Sequence, residues 1–552
     1  MALHARRLAS GLAHPREAAV LAGLVTLTLG LLLPGGTDAA AHLYQTEVFR
    51  SHGWRFWDNF WYAGRYSQVN YSLLYYPLAA LLGTWVVVVG SVAASAGAFS
   101  SLVRRRWPEV ATPSALAFAL LLPLLAVVGT YPFLLGLAVA LWGLVALQRG
   151  RRTLALGAAA VTALTHPLSL VFFCLVVAGV ALAAPGWQRR RADLLFGAGL
   201  VALLVATALL GRAFTAPGSH YPFQRFDLII ILTFCLVGAA VTRGLPDQRV
   251  IRALFAVYAL LSLAVFAVPF TLGANVGRLL LVAGVPLLLL PLAARGFRPR
   301  VPVIAILALA LLWQALPAVG SLRVGASERA SREDFWFPAI AFLERHRNPN
   351  YRVEVVATSH HWEALYLAER GVPLARGWYR QDDFPANAAL YADTLTARRY
   401  RTWLRRVGVR YVLLPDDPLD YSSFGEAKRL RAGALPVVAR MGSWTIYEVP
   451  DATPIATPAR WIHVRSMGAE ALTLDVARPG VYKLRLRYTP YWRVSRGVAC
   501  VARSDPWATV LRVDRAGIVK LRFDVRLGAV VNTVLGREAS CSSRRVPDSR
   551  IG

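Results

Sequence analysis

Up to about residue 320 the chain repeats one phrase: roughly twenty apolar residues, then a short polar or arginine-rich break. At 1.5 Å per residue, a helix of that length crosses a hydrocarbon core of roughly 30 Å. The apolar runs lie near residues 18–35, 77–102, 110–129, 132–147, 153–165, 167–185, 193–211, 227–243, 252–270, 277–294 and 301–320, which predicts about eleven transmembrane helices. The run at 153–165 is short and Thr165-His166-Pro167 breaks it from the next, so the two form separate spans or one hairpin. Beyond residue 320 the period changes. YRVEVVATS and VRYVLLP read as strands, HHWEALYLAERG and TARRYRTWLRRVG as helices, and from about residue 436 alternating strands separated by Gly, Pro and Asp turns take over. The expected architecture is a polytopic α-helical membrane domain over 1–320, an α/β subdomain over 321–435 and a β-sandwich-like subdomain over 436–552. Arg6, Arg7 and Arg16 precede the first apolar run as in a secretion signal, but residues 18–33 exceed a typical signal core and more spans follow, so a retained first helix is expected.

Composition supports this class: 56% of the 552 residues are hydrophobic, above the soluble average of roughly 45–50%. The formal charge of +30 does not signal nucleic acid, because it divides between both parts of the chain. Residues 1–320 hold 24 Arg and no Lys against 8 acids, and most of these arginines mark loop ends. Arg104–Arg106, Arg149 to Arg152, Arg189–Arg191, Arg243 to Arg252 and Arg295 to Arg300 together hold fifteen arginines and follow every even-numbered span. The alternate loops carry six: Arg50, Arg55, Arg65, Arg212, Arg225 and Arg278. The positive-inside rule then puts the N-terminus in the cytoplasm and residues 321–552 outside a plasma membrane. The six outer arginines run against that bias. They either snorkel and pair with acids such as Asp58 and Asp227, or bind a phosphate at the outer surface, which a planar, permanently charged guanidinium suits.

The first outer loop, 36–76, is too long and too distinctive for a connector. Asp38 follows the first span, with Thr37 as a helix cap. A helix over 38–50 would stack Asp38, His42 and Gln45 on one face at i, i+4 and i+7. Trp54, Phe56, Trp57, Phe60, Trp61, Tyr62 and Tyr66 follow, a composition suited to the headgroup layer.

An aspartate just after the first helix, in an amphipathic outer loop that ends in a Tyr-Pro entry to the second helix, resembles the GT-C glycosyltransferases. The segment TDAAAHLYQ…WRFWDNFWYAGRY…YYPL is also similar to bacterial membrane proteins described as GT-C-like or YfhO-like. ARGWYRQDDFPANAALY, YRTWLRRVGVRYVLLPDDPLDYS and YTPYWRV resemble an actinobacterial branch of such proteins. The chain departs from several GT-C families in having no Asp-x-Asp or paired-acid motif, so a divalent metal is not indicated. The resemblance implies inverting transfer of a sugar from a polyprenyl-phosphate donor to a cell-envelope glycan, glycolipid or protein. Such transfer needs a base for the acceptor hydroxyl and a cation for the departing phosphate. Asp38 is the candidate base. Arg278, costly in lipid at the start of its span, is the leading phosphate ligand, with Asn275, Arg212 and Arg225 beside it.

His42, Tyr44, Gln45 and Trp57 of the first loop are candidate substrate contacts, as are His361, Glu363, Arg376, Trp378 and Arg380 of the outer domain. His360, His361 and Glu363 could instead ligate metal, although no second ligand pair has recognisable spacing. Residues 376–383 serve equally as a sugar platform or as packing onto the membrane part. Cys174 and Cys235 lie in apolar runs as core residues, whereas an oxidising compartment permits a disulfide between Cys500 and Cys541. The competing class is a non-enzymatic GT-C-derived scaffold or an envelope lipid or glycan transporter. Transport is disfavoured by the near absence of ionisable residues at mid-span.

Overall fold

The computed structural model describes residues 11–33, 35–183, 191–216, 218–505, 508–537 and 541. Arg6, Arg7, Arg189 and Arg190 lie outside the described residues. The first 325 residues form helices: α1 Pro15–Leu32, α2 Ala39–His52, α3 Tyr75–Leu82, α4 Thr84–Arg106, α5 Ala111–Leu121, α6 Pro123–Val128, α7 Tyr131–Gln148, α8 Arg152–Thr165, α9 Pro167–Ala183, α10 Arg191–Phe214, α11 Arg225–Ala240, α12 Gln248–Ala267, α13 Arg278–Ala294 and α14 Arg300–Gly325. Among the described residues eight helices, some joined end to end, are long and apolar enough to cross a membrane. Of the eleven expected spans, the remaining three are shorter helices: α8 with 14 residues, α9 with 17 and α11 with 16. Leu194, Leu195 and Val201 of α10 are 59–63% exposed. Large apolar side chains turned outward along whole helices are stable against lipid and not against water.

Polar contacts gather the arginine clusters at one end of the bundle. Arg106 pairs with Asp247 at 3.1 Å, Gln148 donates to the Leu102 carbonyl at 3.1 Å, and Arg152 pairs with Asp193 at 2.5 Å. Val241, Leu292 and Val303 pack together beside the remaining clusters. The C-terminal domain sits at the opposite end.

The first loop holds two short strands, β1 Trp57–Asp58 and β2 Arg65–Tyr66, and in the C-terminal domain four strands form a mixed sheet in the order β3-β4-β6-β5, from β3 Arg352–Val355, β4 Val409–Pro415, β5 Val437–Met441 and β6 Trp444–Glu448. β3 runs parallel to β4 and the other pairs are antiparallel. The hairpin β5–β6 therefore completes the α/β sheet, which extends to residue 448 and not to 435 as expected. Alternation alone could not assign it, because a hairpin reads the same whichever sheet it joins. The helix Ala397–Val407 is fixed locally: the Thr396 side chain accepts from Arg399 N–H, Tyr400, Trp403 and Leu404 form its buried stripe, and Gly408 ends it at φ 79°. Beyond it, two four-stranded sheets pack as a sandwich over alternating residues such as Leu472, Leu474 and Val476. Cys500 and Cys541 are disulfide-bonded, while Cys174 and Cys235 are free thiols.

The first loop joins both halves. Its hairpin pairs Trp57–Asp58 with Arg65–Tyr66. Trp57 and Tyr66 are buried in the sandwich core, and Trp61 and Tyr62 pack between α2 and the α/β subdomain. The Trp61 indole donates to the Ala364 carbonyl at 3.1 Å and the Tyr62 hydroxyl to that of Gly377 at 2.7 Å. Gly377 permits the approach, since a Cβ there would sit 2.5 Å from Trp61. Most of the expected headgroup aromatics are thus interdomain core; of Trp54, Trp57 and Trp61 only Trp54 is mainly exposed. Composition marks such residues as buried in something but does not say in what.

Candidate active site

A cavity of about 940 Å³ lies where the membrane helices, the first loop and the α/β subdomain meet. Asp38 is the N-cap of α2, but its side chain caps nothing and is 23% exposed. Thr37, expected as the cap, instead hydrogen-bonds Ser321 of α14 at 3.1 Å. The Asp38 amide donates to the Val128 carbonyl at 3.0 Å, and Gly129, at φ 97°, lets the chain pass where a Cβ would come within 2.5 Å of the Ala39 nitrogen. This fixes the carboxylate at the cavity wall. One Asp38 oxygen accepts from Arg278 at 3.4 Å, across 240 residues of sequence.

Of the face expected on α2, His42 and Gln45 line the cavity with Asp38. Burial beside Arg278 lowers the His42 pKa to about 3, so this imidazole is neutral. Its Nδ1 meets the Tyr76 hydroxyl at 3.3 Å. Burial raises the Asp38 carboxyl above its usual range, against the pull of Arg278, Arg380 and His361.

No family model matches the chain, and no curated protein does. Among solved structures, 92% of the chain aligns with 40% of the arabinofuranosyltransferase AftD from Mycobacteria, at a TM-score of 0.44 and 15% identity. It also aligns over 73% of its length with 69% of the oligosaccharyltransferase AglB from Archaeoglobus fulgidus, solved with an inhibitory peptide and a dolichol-phosphate, at a TM-score of 0.40 and 11% identity. The chain spans about 40% of the length of AftD.

Of the expected phosphate ligands, Arg278 and Asn275 line the cavity. Arg212 and Arg225 do not: they sit exposed at the ends of α10 and α11, where water solvates them. Of the expected substrate contacts in the C-terminal domain, Trp378 and Arg380 line it. Arg380 donates to Asp420 at 2.7 Å and to the Tyr391 hydroxyl at 2.6 Å, and its guanidinium lies 4.7 Å from the Trp378 ring centre. Trp378 also stacks on His361, with centroids 3.8 Å apart.

Four expected contacts are structural. Tyr44 lies off the cavity face of α2, its hydroxyl donating to Asp58 at 2.9 Å. Trp57 is fully buried against Trp492 and Phe523. Glu363 accepts from Thr358 at 2.8 Å and pairs with His361 at 3.0 Å. Arg376 forms a two-pronged bond to Asp383, at 3.1 and 3.0 Å, beside the buried carboxyls of Glu354 and Glu426. His361 itself stands behind Trp378: its Nε2 lies 3.5 Å from Asp420, and these ion pairs raise its pKa despite burial.

Sequence reading missed Tyr71, Tyr221, Asp420 and Tyr421, all on the cavity wall. The acid-rich turn after β4, PDDPLDY, was the available signal for Asp420 and Tyr421. Arg65, flagged only as an outer arginine, also lines the cavity; it pairs with Asp382 at 3.1 Å, and Arg487 binds the same carboxylate at 2.8 Å. Among the described residues no group of three or more His, Cys, Asp or Glu is arranged to hold a metal ion.

Proposed function

We propose that this chain is a membrane glycosyltransferase of the GT-C kind, moving a sugar from a polyprenyl-phosphate donor to a cell-envelope glycan, glycolipid or protein. The observation that carries this reading is the meeting of Asp38 and Arg278, 3.4 Å apart, in a cavity shared by membrane helices and C-terminal domain. In the proposed step Asp38 takes the proton of the acceptor hydroxyl. The acceptor oxygen bonds to the anomeric carbon as the bond to the phosphate oxygen breaks, and that oxygen leaves with the electron pair. Arg278 stabilises the released charge; a guanidinium has five N–H donors, so one can hold Asp38 while others face phosphate. Single displacement inverts the sugar carbon. The neutral His42, with Gln45, Trp378 and Asn275, lines the space for sugar and acceptor.

The arginine clusters at the end of the bundle away from the domain support a cytoplasmic assignment for that face of the plasma membrane. The N-terminus would then be cytoplasmic and the cavity extracytoplasmic. The test is Asp38→Asn in vesicles, assayed for transfer from polyprenyl-phosphate sugars. Loss of a general base predicts a fall of about 10²–10⁴-fold. Undiminished transfer by a correctly inserted variant would sink the assignment.

A further inference from the structure

A second large cavity, of about 560 Å³, lies on the flank of the bundle between α3, α4, α7 and α8. It is a groove with an apolar wall that includes Leu82, Val86, Ala94, Ala138, Trp142 and Ala158. Val86 is 62% exposed and Trp142 44%, so the rim faces the lipid side of the bundle. Small residues give it depth: a Cβ on Gly90 would meet nothing within 4 Å. From Leu135 to Arg149 along α7 the groove runs about 20 Å at 1.5 Å per residue, somewhat more than the roughly 15 Å depth of one leaflet's hydrocarbon. Its end away from the C-terminal domain is closed by Arg149 and Arg151, both exposed.

The charges at that end are unequal. Arg106 and Arg152 have Asp247 and Asp193 as partners. They border another apolar cavity, of about 390 Å³, whose arginines are already neutralised. Arg149 and Arg151 make no ion pair among the described residues. Two unpaired cations at the mouth of a lipid-facing groove complement one anionic headgroup with a chain behind it. We propose that this groove binds one anionic glycerophospholipid from the leaflet opposite the C-terminal domain. Its phosphate sits on Arg149 and Arg151 and an acyl chain runs along α4 and α7. The assignment is independent of the transferase reading.

The test is native mass spectrometry of the full-length protein in detergent, titrated with phosphatidylglycerol or phosphatidylcholine. The wild type is expected to retain one phosphatidylglycerol with roughly 30-fold preference, from two arginines near a headgroup. Arg149→Gln/Arg151→Gln should abolish the preference. Gly90→Leu should fill the groove and weaken both lipids. Arg105→Gln, exposed but off the groove, should behave as wild type. Equal retention of the two lipids by the wild type overturns the proposal, as does an unchanged preference in the double variant. A loss of preference as large in Arg105→Gln shows a diffuse surface charge and overturns it too. Thermal transitions in phosphatidylcholine confirm that the glutamine variants remain folded.

Discussion

Replacing Arg278 by Gln tests whether Asp38 is the base, through the pH profile and not only through the rate. The guanidinium lies 3.4 Å from the carboxylate, and the two side chains are 18% and 23% exposed. Unit charges about 4 Å apart interact by about 4 kcal/mol at an effective dielectric of ~20, which is about 3 pKa units at 1.36 kcal/mol per unit. Solvent screening at these partly exposed side chains reduces the expected effect to about 1–2 units. The sign follows from the chemistry. A base must be ionised, so activity rises as pH passes upward through its pKa. Losing a neighbouring cation raises that pKa further, and the acid limb moves to higher pH.

The assay is transfer by purified enzyme in vesicles, fitted separately for kcat/KM and kcat between about pH 4 and 9. kcat/KM reports the free enzyme, in which Arg278 faces Asp38, and kcat reports the substrate complex, in which Arg278 faces phosphate. The displacement of the acid limb should therefore be larger in kcat/KM than in kcat. A fall in rate with no movement of either limb would refute Asp38 as the titrating base, leaving Arg278 as a phosphate ligand alone.

Asp382→Asn should leave Arg65 and Arg487 buried at the junction without their shared carboxylate, at a cost of about 3–5 kcal/mol, read as faster hydrogen exchange over residues 59–66 and 372–383. Burial pushes the Asp382 carboxyl up, but Arg487 and Arg65 hold it below its usual range. Its contribution is therefore fully present above the unfolded value of about 3.9 and is lost only as pH falls through the lower folded value, so exchange protection at the junction should persist in mild acid. Cys541→Ser opens a link across a separation of 41 residues, an expected loss of about 4 kcal/mol to the sandwich, measured as a lower denaturant midpoint.

The membrane helices were legible because hydropathy and length are local quantities. The cavity face of α2 was legible too, since i, i+4, i+7 spacing places Asp38, His42 and Gln45 together without any tertiary knowledge. Arg278 stood out because a charge opening an apolar span needs a reason. What failed was the choice between surfaces. Arg212 and Arg225 share the charge and sidedness of Arg278 but end their helices in the open. Tyr44 sits one residue before Gln45 and turns to Asp58. Trp57 has the composition of a sugar platform and the environment of a core. The pairing of Arg65 with Asp382 crosses 317 residues, and no period or spacing in the sequence encodes it.

The cavity wall divides the proposed chemistry between two halves of the chain. Asp38 and Arg278 come from the membrane part, while Trp378, Arg380 and Asp420 come from the α/β subdomain. His361, at φ 57°, occupies a backbone region that costs a non-glycine residue about 1–3 kcal/mol. Stacking on Trp378 and ion pairs to Glu363 and Asp420 hold it there. Asp420 in turn fixes Arg380 against the same indole. The indole is thus held by His361 and Arg380 at the cavity wall, beside Asp38. If the subdomain moved off the first loop, Asp38 would lose Arg380, His361 and Trp378 together with the burial that is the largest influence on it, and its carboxyl would return toward its ordinary range. The aromatic mortar of the first loop, Trp61 and Tyr62 against Ala364 and Gly377, therefore sets the acidity of the proposed base from a distance, by keeping the two halves together.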